Sequence, residues 1–438
     1  MTMAPSIYTQ RRKKLLKKMQ HGIAIIPTSP EVTRNADTHY GYRHDSNFFY
    51  LSGFTEPDAV LVLVANQSTG GSYQTILFCR EKHPEQEIWD GHRLGPAAAG
   101  EKLDFDAAYP IDQLDEKLIE LMGNQSILFY PLGSDFAWDQ RILKLRGNIQ
   151  AKTRSGIRAP DEIHDVRVLL NEMRLFKDTH ELKIMRRAAA ISTAAHKRAM
   201  QFTRPDHFEY QVEAEILHEF CSYGARYPAY TSIIAGGANA CVLHYIENNA
   251  KLNDGDLLLI DAGCELDGYA SDITRTFPIN GKFSPAQKDV YEVVLAAQTA
   301  AIAKATPKHT WDAPHNAALH VLAQGFIDLK LCHGSVDAIL ESKSYQKFYM
   351  HRTSHWLGMD VHDVGDYKVD DNWRTLQAGM VLTVEPGCYI RPADDVPPEL
   401  WNIGIRIEDD VLITKIGNEV LTDAAPKTVK DIEKFMKS

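Results

Sequence analysis

The segment HRTSHWLGMDVHD, residues 351–363, holds His351, His355 and His362. His351 and His355 stand four apart, a spacing that brings two side chains to one face of a helix. The zinc-peptidase pattern H-E-x-x-H would need a glutamate directly after the first histidine. Position 352 carries Arg352, so that chemistry is excluded. If these histidines serve a metal, its acidic partners must come from elsewhere in the chain.

Two stretches supply such acids. GDLLLIDAGC (255–264) and GMVLTVEPGC (379–388) align without a gap: a glycine, an apolar strand, an acid, one residue, then Gly-Cys. Asp261 falls opposite Glu385 in this alignment. Further on, GYASD ends at Asp272 and GIRIE at Glu408, each acid four residues after a glycine. Each half of this partial repeat therefore delivers two carboxylates. Strand ends behind runs such as Leu257-Leu258-Leu259-Ile260 are normally buried, where an unpaired carboxylate costs several kcal/mol or gives up its charge. Two divalent cations would balance four such groups. An oxygen-rich donor set suits Mn²⁺, Mg²⁺ or Co²⁺ better than structural zinc, and one imidazole is compatible with it. His355 is then the fifth protein ligand, leaving His351 and His362 for substrate.

The elements that must position these residues divide into two textures. HGIAIIPTS, DAVLVLVAN, YQTILFCR and QSILFYPLGSD read as buried strands bounded by turn formers, an α/β pattern ending near residue 170. Long helical segments follow at 178–203, 207–224 and 285–305, the first capped by Asp178 or Thr179. GDLLLIDAG, GMVLTVEPG and GIRIEDDVLIT are strands between and after them. The domain boundary is expected within 165–178. A length of 438 residues suits two domains, and 44% hydrophobic with 24% charged residues is ordinary for a globular protein. A net charge of −10 argues against nucleic acid or an anionic membrane as partner. No apolar run reaches spanning length, and the first residues lack the apolar core of a secretory signal. The basic run QRRKKLLKKM is expected to be a solvated first helix. Six cysteines without a C-x-x-C pair suit a reducing cytoplasm.

At these residues the chain resembles the creatinase/aminopeptidase, or pita-bread, metallopeptidases, and most closely the bacterial aminopeptidase P group. The resemblance rests on LLLIDAGCELDGYASDITRTFPINGKF, SHWLGMDVHDVG, GMVLTVEPGCYI and GIRIEDDVLIT, and on DSNFFYLSGFTEPDAVLVL in the first part. It implies an N-terminal creatinase-like α/β domain over 1–172 and a C-terminal, pseudo-twofold pita-bread domain over 173–438. It further implies metal ligands at Asp261, Asp272, His355, Glu385 and Glu408, with Asp272 and Glu408 bridging two divalent ions, Mn²⁺ first and Co²⁺, Zn²⁺ or Mg²⁺ as alternatives. His244 and His362 correspond to the family's substrate-side histidines, His351 to a further histidine lining the site, and Arg406 to an arginine beside the metals. The implied activity is metal-dependent release of the first residue from Xaa-Pro peptides. Glu385 would be the proton shuttle, His244 the carbonyl polariser and His362 a hydrogen-bond partner of the substrate backbone.

One departure stands out: Arg352-Thr353 occupies a place where bacterial members often carry Gly-Leu, so the pocket after the cut is expected to differ in shape. Arg352 is also a candidate cation for a carboxylate directly after proline, so an Xaa-Pro dipeptidase (prolidase) is the alternative enzyme. A non-catalytic binding protein on the same fold is the alternative of another class, disfavoured because all five ligand positions keep their residue types. The resemblance implies a homodimer or homotetramer, in which Trp89 of EIWDGHRLG is a candidate to complete a neighbour's site, the other reading being an ordinary surface or core tryptophan.

Overall fold

The fold is described from a computed structural model, whose described residues are 6–66 and 72–437. The chain divides into two compact units, the first running to Met173 and the second beginning at Arg174.

In the first unit the expected strands form one mixed six-stranded sheet. Its order is Ala107–Pro110, Ser72–Cys79, Val60–Asn66, Gly22–Pro27, Ile127–Phe129 and Glu162–His164. Uninterrupted Val/Ile/Leu runs such as Val60–Asn66 suit its centre, where both faces are covered. The basic run does form a helix, Ile7–Met19, but it is not solvated all round. Lys13, Lys14, Lys17 and Lys18 face solvent, whereas Arg11 and Arg12 are buried. Arg12 donates to the carbonyls of Leu103 (2.8 Å) and Asp104 (2.6 Å) at the end of the helix Gly95–Leu103, and to that of Leu51 (3.0 Å). A cation that satisfies unpaired carbonyls at a helix C-terminus is drawn inward by them.

The second unit carries the helices Thr179–Phe202, Glu209–Ser222, Pro285–Lys304 and Ala313–Asp328. Asp178 caps the first through a capping box with Glu181. The fourth helix was not anticipated from the sequence: Pro314 near its start and Gly325 within it weaken the helical pattern.

The sequence echo has a structural counterpart in two broken hairpins. Leu257–Asp261 pairs antiparallel with Thr274–Pro278, and Cys264–Leu266 with Tyr269–Ala270, in one common register. Likewise Val381–Val384 pairs with Asp409–Ile413, and Gly387–Ile390 with Ile403–Arg406, again in one register. Each ladder is interrupted where its acids sit. In the second hairpin Glu385 and Glu408 stand opposite one another at the break. The glycine two residues after each first acid is dictated by close approach: a Cβ on Gly263 would lie 1.7 Å from the Ser271 carbonyl oxygen, and one on Gly387 2.9 Å from that of Ile405. The two hairpins meet through Glu408 N–H to the Thr274 carbonyl (3.1 Å) and Arg406 N–H to the Thr276 hydroxyl (3.2 Å).

Beneath the second break lies a fully buried ion pair, Arg275 to Asp409 at 2.7 Å. Burial opposes the Asp409 charge, but Arg275 and Lys427 outweigh it and hold the carboxyl down at about 2. Removing one partner of such a pair strands a buried charge, at a cost of roughly 3–5 kcal/mol. Asp409→Ala is therefore expected to lower stability by about that amount in denaturant unfolding, with much of the loss recovered in Arg275→Met/Asp409→Leu. An unchanged midpoint in the single variant would contradict this account.

Candidate metal centre and active site

Residues 351–363 form no helix. The chain there runs antiparallel beside the second hairpin. Glu385 N–H donates to the Thr353 carbonyl (2.8 Å), Thr383 N–H to that of His355 (3.0 Å) and Leu357 N–H to that of Val381 (3.0 Å), with Trp356 bridging to Leu382. Sheet alternation, not helical spacing, thus sets the direction of His355: in this register it shares a face with Glu385.

The segment is fixed from behind. Buried Asp363, next to His362, accepts from Arg174 (2.6 Å) and Lys177 (2.9 Å). The pair overcomes burial and keeps this carboxyl below its usual range. Gly358 makes room for it, since a Cβ there would sit 2.0 Å from Asp363 Oδ2. On the other side, Thr353 links the buried His315 (2.8 Å) and Tyr349 (2.7 Å).

Asp272, His355 and Glu408 can bring one donor atom each within 4.8 Å of one another. His355 Nε2 lies 3.4 Å from Asp272 Oδ2 and 3.7 Å from Glu385 Oε1. Its Nδ1 is 2.9 Å from the Trp356 carbonyl oxygen. That carbonyl can accept a hydrogen bond from Nδ1–H, which turns Nε2 toward the acids and leaves it as the atom that would face a metal, the arrangement of metal-bound histidines. Asp261 and Glu385 stand outside the trio but line the same cleft of about 410 Å³. Arg406 donates to Asp261 Oδ2 at 2.6 Å and to the Tyr389 hydroxyl at 3.0 Å. His351 Nε2 accepts from the same hydroxyl (2.8 Å), with Nδ1 on the Arg352 carbonyl (2.8 Å). The His355 and His362 rings meet edge to face at 4.4 Å. His244 and His362 are exposed at the mouth of the cleft. All nine residues singled out from the sequence therefore line one cavity.

Electrostatics explains what this cavity calls for. Burial, then the neighbouring acids, drive Glu408 well above the usual carboxylate range. Burial likewise lifts Asp272, against the pull of His355, and pushes Glu385 up to about 7. Burial opposes the His355 charge, but Asp272 and Glu385 raise it to about 9. Burial and Arg406 depress His351 to about 3 and keep it neutral. Without a cation, then, protons must gather on the acids. The Tyr230 hydroxyl lies between Asp261 (2.6 Å) and Asp272 (2.5 Å). A set of hard oxygen donors plus one correctly tautomerised imidazole fits divalent metal.

Tyr230 went unnoticed in the sequence, as did Thr274, whose hydroxyl donates to Glu408 at 2.6 Å, and Asp410, whose buried carboxylate receives the Asp272 N–H at 3.2 Å. Thr274 is two residues beyond Asp272 on the strand, and that proximity was the available signal. Tyr230 lies far along the chain from any acid and offered none.

With this geometry in view, the comparisons are consistent. Residues 183–415 match metallopeptidase family M24, and residues 8–130 match the aminopeptidase P N-terminal domain. The chain belongs to metallopeptidase family M24 and carries the pita-bread fold of that family, which makes it a hydrolase. Within the family it groups with the Xaa-Pro aminopeptidases. It is 43% identical to the Xaa-Pro aminopeptidase of Escherichia coli (strain K12) over 98% of this chain and 97% of that protein. It is 33% identical to Xaa-Pro aminopeptidase 3 of Mus musculus, over 98% of this chain and 85% of that one. Among solved structures, an aminopeptidase of Pseudomonas aeruginosa superposes with a TM-score of 0.96 at 48% identity, covering 98% of this chain and 97% of that one. No helix among the described residues is long and apolar enough to cross a membrane.

The metal-free protein should reveal the charge crowding. A carboxyl raised from 4.5 to about 7, like Glu385, binds more protons folded than unfolded, so its stabilising contribution is lost as pH rises across that interval. His355, raised from 6.5 to about 9, acts in the same direction over its own interval. In excess chelator the denaturation midpoint should therefore fall between pH 7 and 9, His355 contributing of order 3 kcal/mol, whereas below pH 6.5 the depressed His351 opposes Glu385. Glu385→Gln should shift that balance, so that the midpoint rises more steeply with pH below 6.5. A midpoint that rises between pH 7 and 9 in chelator would refute this.

Proposed function

We propose that the chain is a dinuclear-metal Xaa-Pro aminopeptidase that removes the first residue from peptides with proline in second place. The observation that carries the reading is the pair of broken hairpins. Their four acids line one cleft, and His355 turns Nε2 toward Asp272 and Glu385 with Nδ1 beside the Trp356 carbonyl. Asp261, Asp272, His355, Glu385 and Glu408 would hold two divalent ions, Mn²⁺ being our assignment. Bound cations would supply a nucleophilic water of lowered pKa and polarise the scissile carbonyl.

The remaining work falls to side chains. Glu385, among the acids that line the cleft beside the reacting bond, is placed to take a proton and pass it to the proline nitrogen as the bond breaks. His244 and His362, exposed at the mouth, are placed to donate to the substrate carbonyl and backbone. Arg406 pairs with Asp261 at 2.6 Å, and through Tyr389 orients neutral His351 toward the peptide. The zinc-substituted E. coli aminopeptidase P in complex with product is 43% identical and superposes with a TM-score of 0.96, which supports a peptide substrate for this chain too. The division at residues 172/173, a cytoplasmic location and a homodimer or homotetramer belong to the same proposal. Trp89 is 87% exposed on the helix Pro84–Asp90, in keeping with a contact to a second copy.

A dipeptidase would need a cation fixed directly behind proline. Arg352 is exposed, with its guanidinium 5.1 Å from the Trp373 ring centre, and does not close the cleft. Ala-Pro-Ala should therefore be cleaved with higher kcat/KM than Ala-Pro. Chelation should abolish release of alanine, and Mn²⁺ or Co²⁺ should restore it. His355→Ala should lose metal, whereas His362→Ala should keep metal and lose roughly 10²-fold or more in kcat, the scale of a lost transition-state hydrogen-bond donor. Full activity in verified metal-free protein, or undiminished metal in His355→Ala, would sink the assignment.

A further inference from the structure

The strand-like segment 352–356 has two faces. His355 points toward the acids, while Thr353 bonds the buried His315 and Tyr349. Trp356, on the other face, packs against Trp311 (ring centres 4.0 Å apart) and stacks parallel to Tyr367 (5.7 Å, 6°). On that side lies a second cleft of about 480 Å³, lined by Trp311, Arg352, Ser354, Tyr367, Lys368 and Trp373. Arg352 and Ser354 line both clefts, so the two spaces adjoin along this segment. Trp373 pairs with Lys368 across a two-stranded ribbon, and its ring lies between two cations: Lys368 Nζ at 4.7 Å and Arg352 at 5.1 Å from its centre. Neither cation is engaged in an ion pair among the described residues, in a chain of net charge −10.

From these observations we infer a distal subsite: the aromatic and cationic cleft at Arg352, Lys368 and Trp373 binds the part of the peptide beyond proline and selects for a carboxylate there. The inference rests on the aminopeptidase reading and extends it. A substrate whose scissile bond lies over the acids can pass Arg352 and Ser354 into the second cleft. There the rings offer apolar walls to an extended backbone, and the two cations offer charge with no ion-pair partner among the described residues. An acidic side chain and a free C-terminal carboxylate are the two sources of the recognised group. A basic residue at the same place meets repulsion. The same geometry reassigns Arg352: held over Trp373, it reads residues further along the chain and does not cap proline itself.

The test uses four matched peptides: Ala-Pro-Ala-Glu-Ala, Ala-Pro-Ala-Lys-Ala and Ala-Pro-Ala-Ala-Ala as C-terminal amides, and Ala-Pro-Ala-Ala-Ala as the free acid. Release of the first alanine by the metal-loaded protein is measured at low salt. The Glu amide, the free acid or both should exceed the neutral amide in kcat/KM by about fivefold, the scale of an exposed charge pair. The Lys amide should fall below the neutral amide. These ratios should collapse toward unity in Arg352→Gln and in Lys368→Gln, and should shrink as ionic strength is raised. Whether the Glu amide or the free acid responds tells which source of carboxylate is read. Equal rates for all four peptides, or ratios that survive both substitutions, would overturn the subsite while leaving the aminopeptidase reading intact. If no peptide loses its first residue, the aminopeptidase reading fails and the subsite falls with it.

Discussion

Like charges held close together in a buried pocket must each find a positive neighbour or a proton. Asp261, Asp272, Glu385 and Glu408 are forced into that position by backbone geometry, and much of the second unit can be understood as the response. Arg406 pairs with Asp261, Tyr230 lies between Asp261 and Asp272, and Thr274 donates to Glu408. Even so, Asp272, Glu385 and Glu408 all remain above their ordinary ranges. The pocket is charged beyond what its own side chains neutralise. That residual demand, set against a correctly oriented imidazole, is the physical reason a metallopeptidase needs its metal.

The acids can meet only because two ladders are interrupted. A continuous hairpin would turn successive side chains to opposite faces and pair every backbone group with its neighbour. At each break the ladder resumes in the same register, so the strands hold their course while the acids project into the gap. Gly263 permits one of these interruptions by admitting the Ser271 carbonyl. The third strand-like segment, 353–357, docks on the second hairpin, and Asp363 with Arg174 and Lys177 anchors its continuation. The groups nearest the chemistry are thus held by backbone pairing, with buried ion pairs one layer behind.

Much of this was legible beforehand for a simple reason. Acid-x-Gly-Cys after an apolar run encodes a strand that ends in a carboxylate beside a close backbone contact, and it occurs twice. What escaped notice was set by long-range packing. Tyr230 carries no local signature of its position between two acids. The burial of Arg12 depends on carbonyls at the end of the helix Gly95–Leu103, about ninety positions away in sequence, and a run of basic residues read alone predicts solvent. The histidine spacing misled in a subtler way. A separation of four fits a helix and, equally, two same-face positions of a strand, since four is an even number. Only the pairing partner decides between them.

The docked segment 352–356 has a further consequence, one of inheritance and engineering. Arg352 and Ser354 line both the reaction cleft and the adjoining one, whereas His355 lines the reaction cleft alone. Substitutions at positions 352 and 354 can therefore change what the protein accepts while His355 keeps what it does, provided no residue is inserted or deleted. A single-residue insertion between 352 and 355 would turn His355 away from the acids.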